Sequence, residues 1–184
     1  YLKDKDKIQA FIMKQISFRY HFELKAAARD IQQVLGGFIR GQLIVAAFVG
    51  ILTGVGCLVI GVPHALTIGL VAGVTNIIPY FGPWIGGIMP VILALMNRPI
   101  LALWVIIWIV IVQQVESSFI SPQVMAHSVG LHPLLVIFSV LFFGSLFGIP
   151  GMILGVPITA SIKVLIKYVL VFRNRFRTRV ITAK

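Results

Sequence analysis

The sequence predicts an all-α protein that crosses a lipid bilayer several times. Three observations lead there: an apolar composition, charge-free runs of membrane-spanning length, and basic residues confined to the two ends. Of 184 residues 59% are hydrophobic and only 11% charged, with a mean hydropathy of +1.01. Soluble domains are about 45–50% apolar and about 25% charged. A water-soluble fold of this size has no interior large enough to hide the difference, so lipid is the expected solvent. The formal net charge of +11 raises the question of nucleic acid. The positions answer it: basic residues run from Lys3 to Arg40 and from Lys163 to Lys184, with Arg98 alone between. That is the positive-inside pattern of membrane proteins, so no nucleic-acid partner is expected and both ends are placed in the cytoplasm.

The chain divides into three regions: residues 1–41, basic and amphipathic; 42–172, the transmembrane region; and 173–184, a basic tail. In the first, Ile8, Phe11, Ile12 and Ile16 recur at helical spacing, as do Ile31, Val34, Leu35, Phe38 and Ile39. Helices lying on the cytoplasmic membrane surface, or packed on the rest of the protein, both fit. Gly36, Gly37 and Gly41 are expected to break or bend the chain before the bilayer. Gln42–Gly61 then supplies about 20 uncharged residues, enough to cross a hydrocarbon core of about 30 Å. Its Gly50, Gly54 and Gly56 form a small-residue face for close helix packing.

Residues 64–96 are apolar but cut by Pro79-Tyr80-Phe81-Gly82-Pro83. The arms, Ala65–Ile78 and Trp84–Met96, are short for full spans and suit a re-entrant hairpin, though two ordinary kinked spans would read alike. Pro99–Glu116 is a second clear span, and Ser121–His132 a connecting loop. Pro133–Phe172 repeats the broken layout, with its interruption at Gly148-Ile149-Pro150-Gly151. GVPHAL at Gly61–Leu66 is echoed by GLHPLL at Gly130–Leu135. A doubled Gly/Pro interruption, a possible inverted repeat, is the sequence mark of a transporter's substrate site, because freed backbone groups survive at membrane depth only around a cavity.

The candidate pathway residues come from those breaks and the polar end of the second span. Asn76, Pro79, Tyr80, Gly82 and Pro83 form the first break; Ser145, Gly148, Gly151 and Thr159 take the matching part in the second. Gln113 and Gln114 are placed to line a path or to bond between helices. Glu116 is the sole acid after Asp30, and an ionisable group at membrane depth is a candidate proton or cation carrier, or else an interfacial end to its helix. His64, His127 and His132 lack metal-ligand spacing, and Cys57 is the lone cysteine, so neither a metal site nor a disulfide is expected. The chain has no G-x-x-x-x-G-K-[ST] phosphate loop, and its pattern offers no Ser–His or paired-carboxylate arrangement. Neither an enzyme nor a bound cofactor is expected.

Two strings carry a family resemblance: NIIPYFGPWIGGIMPVILAL at Asn76–Leu95, and FISPQVMAHSVGLHPLLVIFSVLFFGSLFGIPGMILGVPITASIKVL at Phe119–Leu165. With YLKDKDKI at the start and FIRGQ at Phe38–Gln42, they resemble the AI-2E (autoinducer-2 exporter) family of bacterial inner-membrane proteins. His127 and Pro150 depart from that family's usual forms at their positions. The resemblance implies a multi-pass transporter in the bacterial inner membrane, longer at its N-terminus than this chain and homo-oligomeric. By that resemblance it exports autoinducer-2 or another small solute by alternating access on an ion gradient, or exchanges sodium or lithium for protons. A non-transporting scaffold, whose prolines and glycines only shape packing, is the rival of a different class.

Overall fold

A computed structural model describes the backbone of residues 21–120 and 130–182, and the side chains of 24–120 and 130–170. The stretch with Ile8 to Ile16, the loop residues 121–129 with His127, and the side chains of the basic tail lie outside it. All regular structure among the described residues is helical: α1 His21–Ile60, α2 Ala65–Thr75, α3 Gly82–Asn97, α4 Pro99–Val115 continued by a π-helical turn Glu116–Ile120, and α5 Pro133–Thr182. The chain divides into two compact units. One comprises Tyr1–Gln33 with Ser161–Lys184, and the other Val34–Ala160. In the first, the Tyr168 hydroxyl donates to Asp30 Oδ2 at 2.9 Å. The second holds both Gly/Pro breaks.

The expected interruption at Gly36, Gly37 and Gly41 does not occur, for α1 runs through all three. Glycine costs a helix only about 1 kcal/mol against alanine, which packing overrides easily. The helix ends instead at Gly61, whose φ of 88° lets the chain turn while the Gly61 and Val62 amides donate to the Cys57 carbonyl. Gly50 and Gly54 of α1 then meet Gly69 and Gly73 of α2, backbone against backbone: a Cβ on Gly69 would lie 2.6 Å from the Gly50 carbonyl oxygen. Gly56 faces elsewhere. It receives the Trp108 indole, whose Nε1 donates to the Leu52 carbonyl at 2.9 Å and ties α4 to α1.

Both Gly/Pro-broken segments are helical hairpins. In the first, α2 stops at Thr75, a short turn carries Tyr80 at a left-handed φ of 65°, and α3 starts with Pro83 in its first turn. In the second, α5 consists of two helical arms that meet at Gly148, whose φ 65°, ψ −145° is not helical. A Cβ on Gly155 would meet the Ser139 carbonyl, and Gly151 is pressed on the Phe143 carbonyl. Residues 139 and 155 would lie about 24 Å apart along a straight helix at 1.5 Å per residue. The arms are therefore folded back at Gly148. The echo between GVPHAL and GLHPLL also has a structural counterpart, since Gly61 and Gly130, both at positive φ, precede the two hairpins.

Three described stretches are long and apolar enough to cross a membrane: Leu24–Ile60, Pro99–Ile120 and Pro133–Leu170. The last is bent at Gly148. Outward-facing residues complete the case, with Leu66 90%, Val59 81% and Met96 79% exposed. Apolar surface this continuous belongs in lipid. The protein is an all-α polytopic membrane protein.

Candidate functional site

The first hairpin breaks where helix geometry runs out of donors. After Thr75 the chain tightens, with the Ile77 amide bonded to Val74 and that of Ile78 to Thr75. Pro79 and Pro83 have no N–H to offer. The carbonyls of Asn76 and Ile77 are left at the C-terminal, negative end of α2. Gln42 answers them. Its Nε2, on α1, donates to both, at 3.2 and 3.1 Å, and the side chain is buried. Such bonds contribute about 1 kcal/mol each, and a carbonyl buried without one costs about 1–3 kcal/mol. The FIRGQ string thus holds the residue that fastens the break to α1.

Asn76 is 3% exposed and its Oδ1 has no hydrogen-bond partner among the described residues. Buried polar atoms are satisfied in the great majority of cases, so an orphan of this kind calls for an explanation. Beside it opens a cavity of about 760 Å³, which falls in the range of small-molecule sites. Gln42, Asn76, Pro79, Tyr80 and Pro83 form one wall. Gln113, Gln114 and Glu116 form another, and Leu131, Pro133 and Val136 at the start of the second hairpin a third. Glu116, 8% exposed, opens the π-helical turn that prolongs α4. A π turn inserts one extra residue and rotates the downstream side chains; such turns recur at functional sites. Glu116 is therefore a buried wall residue at the C-terminal end of α4.

The structure brings Asn76, Pro79, Tyr80, Pro83, Gln113 and Glu116 onto one cavity. Gly82 is set behind it, where any Cβ would strike the Thr75 carbonyl and the Asn76 backbone. With Thr53, Gly86 and Gln113 it encloses a void of about 10 Å³, room for about one water. The second break is not part of the cavity wall. Ser145 is exposed and bonds its own helix at Phe142, and Thr159 bonds Gly155. Gly148 and Gly151 make the bend and its packing. So the two interruptions do not enclose one pocket. Sequence reasoning missed Gln42 and Trp84 as cavity-lining residues. Gln42 had a visible signal, as a polar residue opening an uncharged run. Among the described residues no cluster of His, Cys, Asp or Glu has metal-binding form.

Comparison with known proteins agrees with the fold. The family model of the AI-2E family transporter matches residues 1–170. The "Putative transport protein YrrI" of Bacillus subtilis is 40% identical over 149 residues, covering 81% of this chain and 42% of the relative. The "Putative transport protein YueF" of the same species is 39% identical over 162 residues, covering 88% and 44%. A "Putative transport protein" of Thermotoga maritima is 29% identical over 127 residues, covering 68% and 39%. The chain spans about two-fifths of the length of these curated relatives. On the family match, carried by nearly the whole chain, this protein belongs to the AI-2E transporter family.

Proposed function

We propose that the protein moves a small solute across the bacterial inner membrane, binding it in the cavity beside the first broken hairpin. One observation carries the reading: a largely buried glutamate, an orphaned asparagine and three glutamines meet at a backbone break inside an otherwise apolar helix bundle. Polar groups at membrane depth are expensive and persist where they line a path. A scaffold whose glycines and prolines only shape packing gives no reason for a buried Asn76 Oδ1 without a partner among the described residues.

Transport proceeds by alternating access, with the hairpin moving against α1 and α4 so that the cavity opens to one side and then the other. Export of autoinducer-2 or a comparable solute on an ion gradient is the activity that family membership suggests. Both basic ends lie in the cytoplasm, as the positive-inside bias asks, and the working unit is a homo-oligomer. Exchange of sodium or lithium for protons is the second reading, favoured by burial of Glu116 in the cavity wall.

Reconstituted protein in liposomes tests this directly. Solute or ion flux above that of empty liposomes is expected, and Glu116→Gln is expected to remove its response to an imposed ion gradient. Flux no greater than the empty control counts against transport. Unchanged gradient-driven exchange in Glu116→Gln removes Glu116 as the coupling group.

A further inference from the structure

We infer that the two ends of the chain together bind the phosphate of an anionic phospholipid, through Lys25, Arg29 and Lys167. The site lies within the unit that pairs Tyr1–Gln33 with Ser161–Lys184. The inference rests on the reading that puts both chain ends on one side of the membrane, and not on transport. With both ends on one side, α1 and α5 run in opposite directions past each other.

One bond fixes which faces of the two helices meet: the Tyr168 hydroxyl donates to Asp30 Oδ2 at 2.9 Å. Arg29 and Lys167 each stand one position before a member of that pair. A helix turns about 100° per residue, and between antiparallel helices that turn carries both side chains to the same side of the pair. Lys25, four positions before Arg29, stays on that side. Lys163 falls there too, but it is already engaged and is not counted. Lys25, Arg29 and Lys167 are all exposed.

Three cations on one face repel one another unless an anion stands among them. The chain does not supply it. Asp30 is the one acid of this unit whose side chain is described, it bonds Tyr168, and none of the three cations forms an ion pair among the described residues. The opposite side of the pair is apolar. By the same turns Leu24, Ile162, Leu165 and Val169 fall there, with Leu165 48% and Val169 65% exposed. A helix pair with cations on one side and bare hydrocarbon on the other suits the boundary between headgroups and acyl chains, where Lys and Arg reach out to phosphate. Inorganic phosphate or an acidic soluble protein would answer the cations alone. An anionic phospholipid in the leaflet facing these ends answers both sides.

Thermal unfolding of the purified full-length protein in neutral detergent tests this. The added probes are phosphatidylglycerol, phosphatidylcholine with the same acyl chains, and inorganic phosphate. Phosphatidylglycerol is expected to raise the midpoint about 3 °C or more above phosphatidylcholine, with inorganic phosphate giving no rise. About 1 M salt, where the Debye length is about 3 Å, should remove that preference. Combined Lys25→Gln, Arg29→Gln and Lys167→Gln should abolish it and leave the response to phosphatidylcholine intact. Combined Arg175→Gln, Arg177→Gln and Arg179→Gln, which take the same charge from the basic tail, should retain it. Tyr168→Phe, which unties the helices without changing charge, should weaken it. If the first triple variant does not fold, the Tyr168→Phe and tail variants decide. Equal midpoints in the two lipids, a preference untouched by the site variants, or one lost equally with the tail charges overturns the inference. A rise with inorganic phosphate alone would show a free-anion site and overturn it too. Flux is not part of the readout, so loss of the lipid preference leaves transport standing, and absence of flux leaves the lipid site standing.

Discussion

Gly69→Val is expected to leave little folded protein. The Gly69 Cα faces the backbone of α1, where a Cβ would sit 2.6 Å from the Gly50 oxygen and 2.8 Å from the Gly54 Cα. Both atoms are main chain, so no side-chain rotation relieves the clash, and α1 and α2 have to separate. Overpacking against movable side chains already costs about 1–3 kcal/mol; against backbone the cost should exceed that range. Helix association in lipid also depends on close approach, since lipid offers no hydrophobic force to compensate for a gap. Gly36→Ala is the control. No atom lies within 4 Å of its added Cβ, and the helix gains about 1 kcal/mol of propensity. Thermal unfolding in detergent should show loss of the transition for the first and an unchanged or higher midpoint for the second. Equal midpoints would contradict the packing described.

Gly148→Ala should destabilise the protein for a different reason. Here an added Cβ meets nothing within 4 Å, so space is not the issue. The backbone at φ 65°, ψ −145° is the issue, because that region is open to glycine and nearly closed to any residue with a side chain. Strain of about 1–3 kcal/mol is expected, large enough to lower the unfolding midpoint by several degrees. A midpoint equal to wild type would mean that the second hairpin does not depend on this bend. Since Gly148 is outside the cavity wall, binding by the folded fraction should be retained.

These two glycines show what is legible in the sequence. Breaks written in proline and glycine can be read, because the residues that cause them are local: Pro79, Gly82 and Pro83 in one hairpin, Gly148 in the other. The same signal misleads at Gly36, Gly37 and Gly41, through which α1 runs unbroken. Less visible is anything that depends on a partner far along the chain. The bond from Gln42 to the Asn76 carbonyl spans 34 positions, and no local pattern announces it. Gly50 and Gly54 are recognisable as a packing face, but their partners Gly69 and Gly73 lie on another helix. Glu116 stands out as an isolated acid, yet its burial comes with a π-helical turn that the apolar sequence around it does not mark. The repeat promises more than the structure delivers: two hairpins exist, but the cavity belongs to the first, while Ser145 and Thr159 bond their own helix. Periodicity gives little help, because in lipid both faces of a helix are apolar and the buried face is picked out by small residues instead.

Water access to the first break is the most direct test of the central claim. Cys57 is the one cysteine in this sequence, so Cys57→Ala removes the thiol it carries. In that background, single replacements Tyr80→Cys and Gln113→Cys should react with a membrane-impermeant charged maleimide in sealed vesicles. Leu103→Cys, on the exposed apolar side of α4, should stay unlabelled until detergent is added. If Tyr80→Cys and Gln113→Cys are as inert as Leu103→Cys before solubilisation, the break does not open onto water. A solute could not then pass there.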